Sequence, residues 1–336
     1  MSSYPCIPNY TYLDSPELFK LILHIITIIS TPIYLFGLYC ILFKTPKPME
    51  SVKWYLFILH VMITLFDYSV TVLTVPYILI PQLAGIPYGV LRHLGVPTSW
   101  QTMLVVMILM SLGVSILSIY ENRFFILCEF RGKQHWRVLR RLWLLLHYLY
   151  CIALLFSTSL VLPDQDSAKA RLFQNLPCLP QFIYDAPVFV LLETQVESNI
   201  FPVIALALLI IVIVVEASYF VHHLINNIQM QRKTSRISQK TYEVQRQFLS
   251  ALFFQSSIPL ATLIVPLTYG FLTVSFNYYN QALVNFCITL ATTHGFIATV
   301  VMLWVHKPYR MAVKELFGMV DKKLHRRVKV AAMSVS

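Results

Sequence analysis

The chain has 336 residues, 57% hydrophobic and 12% charged, with a formal net charge of +11 and a mean hydropathy of +0.66. A soluble domain carries about 25% charged residues. Apolar runs of about 20 residues recur along this chain, which excludes a water-soluble enzyme or binding domain and predicts a polytopic membrane protein.

Residues 1–17 read MSSYPCIPNYTYLDSPE and have no basic stretch ahead of a short apolar one. No cleavable leader is therefore expected, and the first span serves as the insertion signal. This segment holds Cys6 and the one N-x-[ST] sequon, at Asn9, a candidate glycosylation site. Seven apolar segments follow at about 18–43, 54–80, 98–120, 142–162, 200–224, 248–272 and 281–305. Helix is the structure expected for each, because lipid offers the backbone no hydrogen-bond partner and the short alternating strands of a barrel are missing. Pro32, Pro76, Pro202, Pro259 and Pro266 lie inside these runs and predict kinks. The fold class is an all-α membrane protein, a seven-transmembrane helix bundle. The stretch 163–199 has the composition of an outer lid.

Charge fixes the expected threading. Of the 26 Lys and Arg residues, 22 fall in 44–53, 123–141, 225–247 and 306–336, against three (Arg92, Lys169 and Arg171) in the opposite set of loops. Cytoplasmic loops carry the excess of Lys and Arg, so the amino terminus is expected outside and the carboxyl terminus inside. The same distribution assigns the positive charge to the bilayer surface rather than to nucleic acid. Cys6 and Cys178 then share the oxidising side and are expected to form a disulfide. The other four cysteines, in or near spans, read as small buried hydrophobes. There is no CxxC, no metal-ligand spacing and no cofactor motif.

The inner end of the third span reads Glu121-Asn122-Arg123, and the stretch 121–141 carries six Arg and Lys. Glu121 and Arg123 are two residues apart, so on a helix they do not face each other. Arg123 is therefore expected to find an acid on another helix, with Glu243 before the sixth span as the candidate. After the seventh span, Pro308 suits a first helical position. Val313, Leu316, Phe317 and Val320 then follow helical spacing with Arg310 and Lys314 on the polar side, which predicts a short amphipathic helix on the inner surface. Thr234, Ser235 and Ser238 lie among basic residues and are candidate phosphorylation sites.

Ionisable and polar groups inside spans are functional candidates. Asp67 is the clearest, with Ser111 or Ser115 of the third span and Asn285 of the seventh as expected partners. Glu216 is expected to reach the inner interface, and His294 to be a hydrogen-bonded packing residue. By depth alone, the outer ends of the third, fifth, sixth and seventh spans are expected to line a ligand cavity, with Trp100, Gln101, Met103, Tyr269, Tyr279, Asn280 and Val284 facing a small, neutral or weakly polar ligand.

Several stretches carry a family resemblance: FGLYCILFKTPKPMESVKWYLFILH (36–60), SILSIYENRFFIL (115–127), LPDQD with LPCLP (162–166 and 176–180), and FLSALFFQSSIPL with HKPYR (248–260 and 306–310). Together they resemble the nematode serpentine receptor class h family, up to about residue 320. The resemblance implies a chemosensory G-protein-coupled receptor in the plasma membrane, at the cilia of sensory neurons, with a small-molecule ligand and a heterotrimeric G protein as partners. It also implies the Cys6–Cys178 pair. Glu121, Asn122, Arg123, Glu243 and Arg310 are then the expected coupling residues. The chain has HKPYR where rhodopsin-type receptors have NPxxY, and no cysteine at the outer end of the third span. A channel or transporter is the alternative. It is disfavoured by the few charged residues in the spans and the lack of an inverted repeat, and a seven-span odorant-gated channel with an inner amino terminus would reverse the charge split. No HExxH and no paired intramembrane acids are present, so no enzyme is expected.

Overall fold

The computed structural model describes residues 10–176, 178–192, 201–234 and 238–318. Helix α1 (Pro16–Phe43) begins where the Leu18 amide donates to Ser15 Oγ at 3.2 Å, with Pro16 at the first position, where an amide hydrogen would have no helical partner. Helix α2 (Glu50–Tyr68) widens into a π turn over Ser69–Thr74 and stops. The expected extension of this span to residue 80 is not found. Pro76 has no amide hydrogen and pushes the residue before it out of the helical region; Val75 takes a φ of 42° and the chain leaves the helix there. It returns as a hairpin, β1 (Pro76–Leu79) against β2 (Ala84–Pro87), antiparallel with Pro76 opposite Pro87 and Leu79 opposite Ala84. Gly89 closes this return, because a Cβ there would strike the Leu73 carbonyl.

A short helix α3 (Val90–His93) leads into α4 (Thr98–Leu127). Gly132, at φ 88°, turns the chain into α5 (Lys133–Leu160). The lid consists of α6 (Gln165–Asn175), α7 (Gln181–Tyr184) and β3 (Phe189–Val190), and β3 pairs with β2 to make a three-stranded sheet in the order β1-β2-β3. Next come α8 (Phe201–Lys233) and α9 (Gln239–Phe276). Both run past the apolar segments expected at 200–224 and 248–272, because the polar residues beyond them keep helical propensity outside the hydrocarbon. The seventh span is α10 (Gln281–Thr292) followed by α11 (His294–Val305). A last helix, α12, covers 307–318.

Among the described residues, seven helical stretches are long and apolar enough to cross a membrane: Pro16–Phe43, Glu50–Thr74, Thr98–Leu127, Lys133–Leu160, Ile204–Lys233, Gln245–Phe276 and Gln281–Val305. The chain is a multi-pass membrane protein built as a seven-helix bundle. Apolar side chains also cover its outside: Ile210, Ile211, Val214 and Val215 of α8 are all exposed. Such a belt suits lipid and not water. One buried cluster (Ile41, Leu56, Leu117, Leu224, Met302 and Tyr309 among others) fills the bundle between the spans. A second (Phe19, Tyr77, Ile86, Leu172, Ile183 and Val190 among others) packs the hairpin and the lid against the first span. The sheet is thus part of the folded body rather than a free loop.

Candidate functional site

At the hairpin end, the sheet and the start of α4 enclose a cavity of about 240 Å³. Its walls are Pro76 and Ile78 of β1, the whole of β2, Phe189 and Leu191 from the lid, and Thr98, Gln101, Thr102, Val105 and Val106 of α4. None of the lining residues carries a charge. Gln101 is 2% exposed; its Nε2 donates to the Val96 carbonyl at 2.8 Å, while its buried Oε1 has no hydrogen-bond partner among the described residues.

The lid is held at its outer edge by a side chain. The Val190 amide donates to Gln165 Oε1 at 3.0 Å, and Gln165 Nε2 donates back to the Val190 carbonyl at 3.1 Å, so the carboxamide of α6 substitutes for a fourth strand. On the other side, Gln281 Nε2 donates to the Ile78 carbonyl at 3.1 Å and to Asn285 Oδ1 at 2.9 Å. Asn285 Nδ2 reaches the Leu13 carbonyl at 3.3 Å, and Tyr77 OH donates to the Asp14 carbonyl at 2.7 Å. The buried Tyr77 hydroxyl has its pKa raised above the ordinary phenol value by desolvation. Cys178 of the lid is disulfide-bonded; Cys6 and Asn9 lie outside the described residues.

Of the seven residues expected at a ligand, only Gln101 lines this cavity. Trp100 is 70% exposed on the outward face of α4, and Met103 is half-buried away from the cavity wall. Tyr269 OH donates to the Asn280 carbonyl at 3.3 Å, and Tyr279 OH donates to Gln281 Oε1 at 3.0 Å. Asn280 caps α10 by accepting from the Leu283 amide at 3.1 Å, and Val284 is a core residue at 1% exposure. These four build the junction of α9 and α10. The hairpin was the missing piece. Read as helix to residue 80, the second span could not supply the cavity's walls.

Mid-bundle, Asp67 is buried, but its partners differ from those expected. Tyr34 of α1 donates to Asp67 Oδ2, and His294 Nδ1, which contacts the Ala291 carbonyl at 2.6 Å, lies 3.3 Å from Asp67 Oδ1. Gly295 leaves the space: a Cβ there would strike Asp67 Oδ2, with the Tyr34 hydroxyl 2.7 Å away. Ser115 instead donates to the Ser111 carbonyl at 2.8 Å on its own helix, and Asn285 serves the hairpin end. Asp67 therefore joins the first, second and seventh spans. Glu216 does not simply reach the interface. Trp143 Nε1 donates to Glu216 Oε1 at 3.3 Å, and His147 Nε2 lies 3.2 Å from Oε2, tying α5 to α8.

At the opposite, basic end, Glu121 is 3% exposed and holds Arg140 of α5, whose Nη2 donates to Glu121 Oε2 at 2.6 Å. Trp136 Nε1 donates to the other carboxylate oxygen at 2.8 Å. The same Arg140 nitrogen reaches Asn122 Oδ1 at 3.1 Å and Tyr55 OH at 3.4 Å, and the guanidinium lies 4.3 Å from the Phe125 ring centroid. Asn122 Nδ2 donates to the Ser51 carbonyl at 3.2 Å. This cluster binds α4 to α5 and α2. Trp136 and Arg140 are one helical turn apart, the spacing that puts both on one face, and that was the only sequence signal for it.

Arg123 is buried at 6% exposure, and its charge acts on His306 of HKPYR. Burial first, and Arg123 second, push the His306 pKa down to about 4. Glu243 is exposed and accepts from Gln239 Nε2 at 2.7 Å; among the described residues no ion pair joins it to Arg123, so that expected pairing is corrected. Helix α12 buries Tyr309 and Ala312 against the bundle, leaves Arg310 and Phe317 exposed, and is held by Lys44 Nζ donating to Glu315 Oε2 at 3.0 Å. Thr234 and Ser238 are exposed, and Ser235 lies outside the described residues. A crevice of about 380 Å³ opens here between α4, α8 and α9, lined by Tyr120, Ile225, Gln229, Arg246 and Phe253 among others. Among the described residues no group of three or more His, Cys, Asp and Glu is placed to hold a metal.

Residues 14–319 match the family described as serpentine type 7TM GPCR chemoreceptor Srh. The chain belongs to that family. Serpentine receptor class H-72 of Caenorhabditis elegans is 26% identical over 320 residues, covering 94% of this chain and 90% of the relative. The crystal structure of squid rhodopsin superimposes with a TM-score of 0.60 at 8% identity, over 94% of this chain and 91% of that one, a likeness of fold alone. The Srh membership agrees with the family resemblance drawn from 36–60, 115–127 and HKPYR.

Proposed function

We propose that this Srh chain is a chemosensory receptor that binds a small molecule at its hairpin end and activates a heterotrimeric G protein through its basic end. The observation that carries the reading is the opposition of two openings on one bundle. An uncharged cavity sits under the sheet, and a crevice with Arg246 at its edge sits where the third, fifth and sixth spans meet among the basic loops. The charge split of the loops supports an outer hairpin and an inner crevice. In this reading the protein resides in the plasma membrane, at the cilia of chemosensory neurons. Cys178 pairs with Cys6 to fasten the lid, and Asn9 carries a glycan. Thr234, Ser235 and Ser238 accept phosphate, while Arg123, Arg310 and the Glu121 cluster border the G-protein surface.

Two measurements test this. Tags at each terminus, stained before and after permeabilisation, should expose the amino terminus only to the outside and the carboxyl terminus only to the inside. Purified receptor in lipid nanodiscs should accelerate nucleotide exchange on a G protein when an odorant panel is added. An inner amino terminus, or an odorant-evoked conductance in bilayers without a G protein, would overturn the reading in favour of a channel.

A further inference from the structure

The cavity at the hairpin end specifies its ligand more closely than "small molecule", and this inference rests on the receptor reading above. We infer that it is a site for a small neutral molecule bearing one hydroxyl, an aliphatic alcohol, anchored by Gln101 Oε1. The cavity wall consists of Ile86, Val105, Val106, Phe189 and Leu191 with their neighbours and contains no ionisable side chain. An ionised ligand would leave its charge unpaired there, a loss of several kcal/mol. The volume of about 240 Å³ falls short of the 300–1,000 Å³ typical of drug-sized sites.

Gln101 then decides the polar chemistry. A carboxamide can in principle be turned either way. Here the Val96 carbonyl fixes it, because only Nε2 can donate to that oxygen, at 2.8 Å. That leaves Oε1 of this cavity-lining side chain as a buried acceptor with no hydrogen-bond partner among the described residues. Oε1 accepts from none of the lining threonines, Thr74, Thr98 and Thr102: Thr102 donates to the Thr98 carbonyl at 2.9 Å and Thr74 to the Ser69 carbonyl at 2.7 Å. A bound molecule must bring a donor. Alcohols have one; ethers, ketones and esters of the same size do not, and they would leave Oε1 desolvated.

The test uses the full-length receptor in lipid nanodiscs and ligand-observed NMR, with empty nanodiscs subtracted for partitioning into lipid. The probes are primary alcohols from butanol to octanol and methyl ethers of matched length. Alcohols are expected to bind saturably and the ethers about tenfold more weakly, the loss of one hydrogen bond. Gln101→Leu should reduce the alcohol's affinity to that of the ether, and Val105→Phe, which fills the cavity from another position on α4, should abolish both. Ethers binding as well as alcohols, Gln101→Leu leaving alcohol affinity unchanged, or no alcohol binding at all would overturn the assignment. Nucleotide exchange in the same samples separates the two claims. Alcohol binding weakened to the ether's level by Gln101→Leu and abolished by Val105→Phe, but never coupled to exchange, sinks the receptor reading and keeps the site. Exchange driven by a donor-free odorant and unaffected by Gln101→Leu keeps the receptor and sinks the site.

Discussion

Replacing Arg140 by Met would test whether the basic end is locked between α4 and α5 rather than between α4 and α9. The substitution keeps an unbranched apolar stem and removes the hydrogen bonds to Glu121, Asn122 and Tyr55 at 2.6, 3.1 and 3.4 Å. It leaves the Glu121 carboxylate, with its side chain 3% exposed, supported only by the Trp136 indole at 2.8 Å. Breaking a buried ion pair from one side costs about 3–5 kcal/mol. The Arg140 side chain is 16% exposed, so some water reaches the pair and the lower figure applies, about 3 kcal/mol. The assay is reversible unfolding in mixed detergent micelles, run as a double-mutant cycle with Glu121→Gln. The double variant should be less destabilised than the two singles summed, with a coupling of at least about 1 kcal/mol. Glu243→Gln, at an exposed carboxylate, should change stability by no more than about 0.5 kcal/mol. Additive single effects, or a Glu243→Gln effect as large as that of Arg140→Met, would refute the account of the latch.

Three further outcomes follow from other parts of the bundle. Gly295→Ala should destabilise the protein by about 1–3 kcal/mol in the same unfolding assay, because the new methyl displaces Asp67 and the Tyr34 hydroxyl from a packed site. His306, with its pKa lowered from 6.5 to about 4 by burial and Arg123, stays neutral in the fold while the unfolded chain takes up a proton. Stability should therefore be full above pH 6.5 and fall as the pH drops towards 4, and His306→Gln should flatten that slope in melts taken across this range. Gln165→Ala removes the reciprocal pair at 3.0 and 3.1 Å from Val190, so hydrogen exchange at the Val190 amide should accelerate while the core of α4 stays protected.

The bundle was legible in the sequence because hydrocarbon imposes one rule on every span: an apolar run long enough to cross, closed on itself by helical hydrogen bonds. The hairpin was hidden by the same rule. Residues 75–80 read VPYILI, apolar enough to pass as the end of a span. The informative signal was Pro76 and the residue before it, a local backbone restriction that a hydropathy average does not register. Gln101 was found by depth, and the hairpin residues that wall the cavity with it were missed with the hairpin. Asp67 was found by its charge, but its partners Tyr34 and His294 come from α1 and the break between α10 and α11. Which helices are neighbours is a property of packing, and no spacing within one span encodes it. For Glu121, the two-residue spacing correctly excluded Arg123 as a facing partner. Arg140 came from the next helix, out of a basic run whose members look alike until one is buried.

Both openings are lined by the same helix, with Gln101 at one and Tyr120 at the other, about 28 Å apart along α4 at the helical rise. A ligand shifts a two-state equilibrium only by its differential affinity for the two states. If the apolar walls bind an alcohol alike in both states and only the Gln101 hydrogen bond differs, that differential is about tenfold. Tenfold cannot switch a receptor from one per cent to ninety-nine per cent active, which needs roughly ten-thousand-fold. It can carry a resting population of about a tenth to about a half. A receptor driven by this anchor should therefore show basal nucleotide exchange at about a tenth of its maximum and a graded, several-fold response to alcohol. Exchange without ligand, measured against the fully activated rate in nanodiscs, decides the matter. A silent receptor that an alcohol turns fully on would mean that the hairpin and lid themselves rearrange on binding, and that walls as well as anchor differ between the two states.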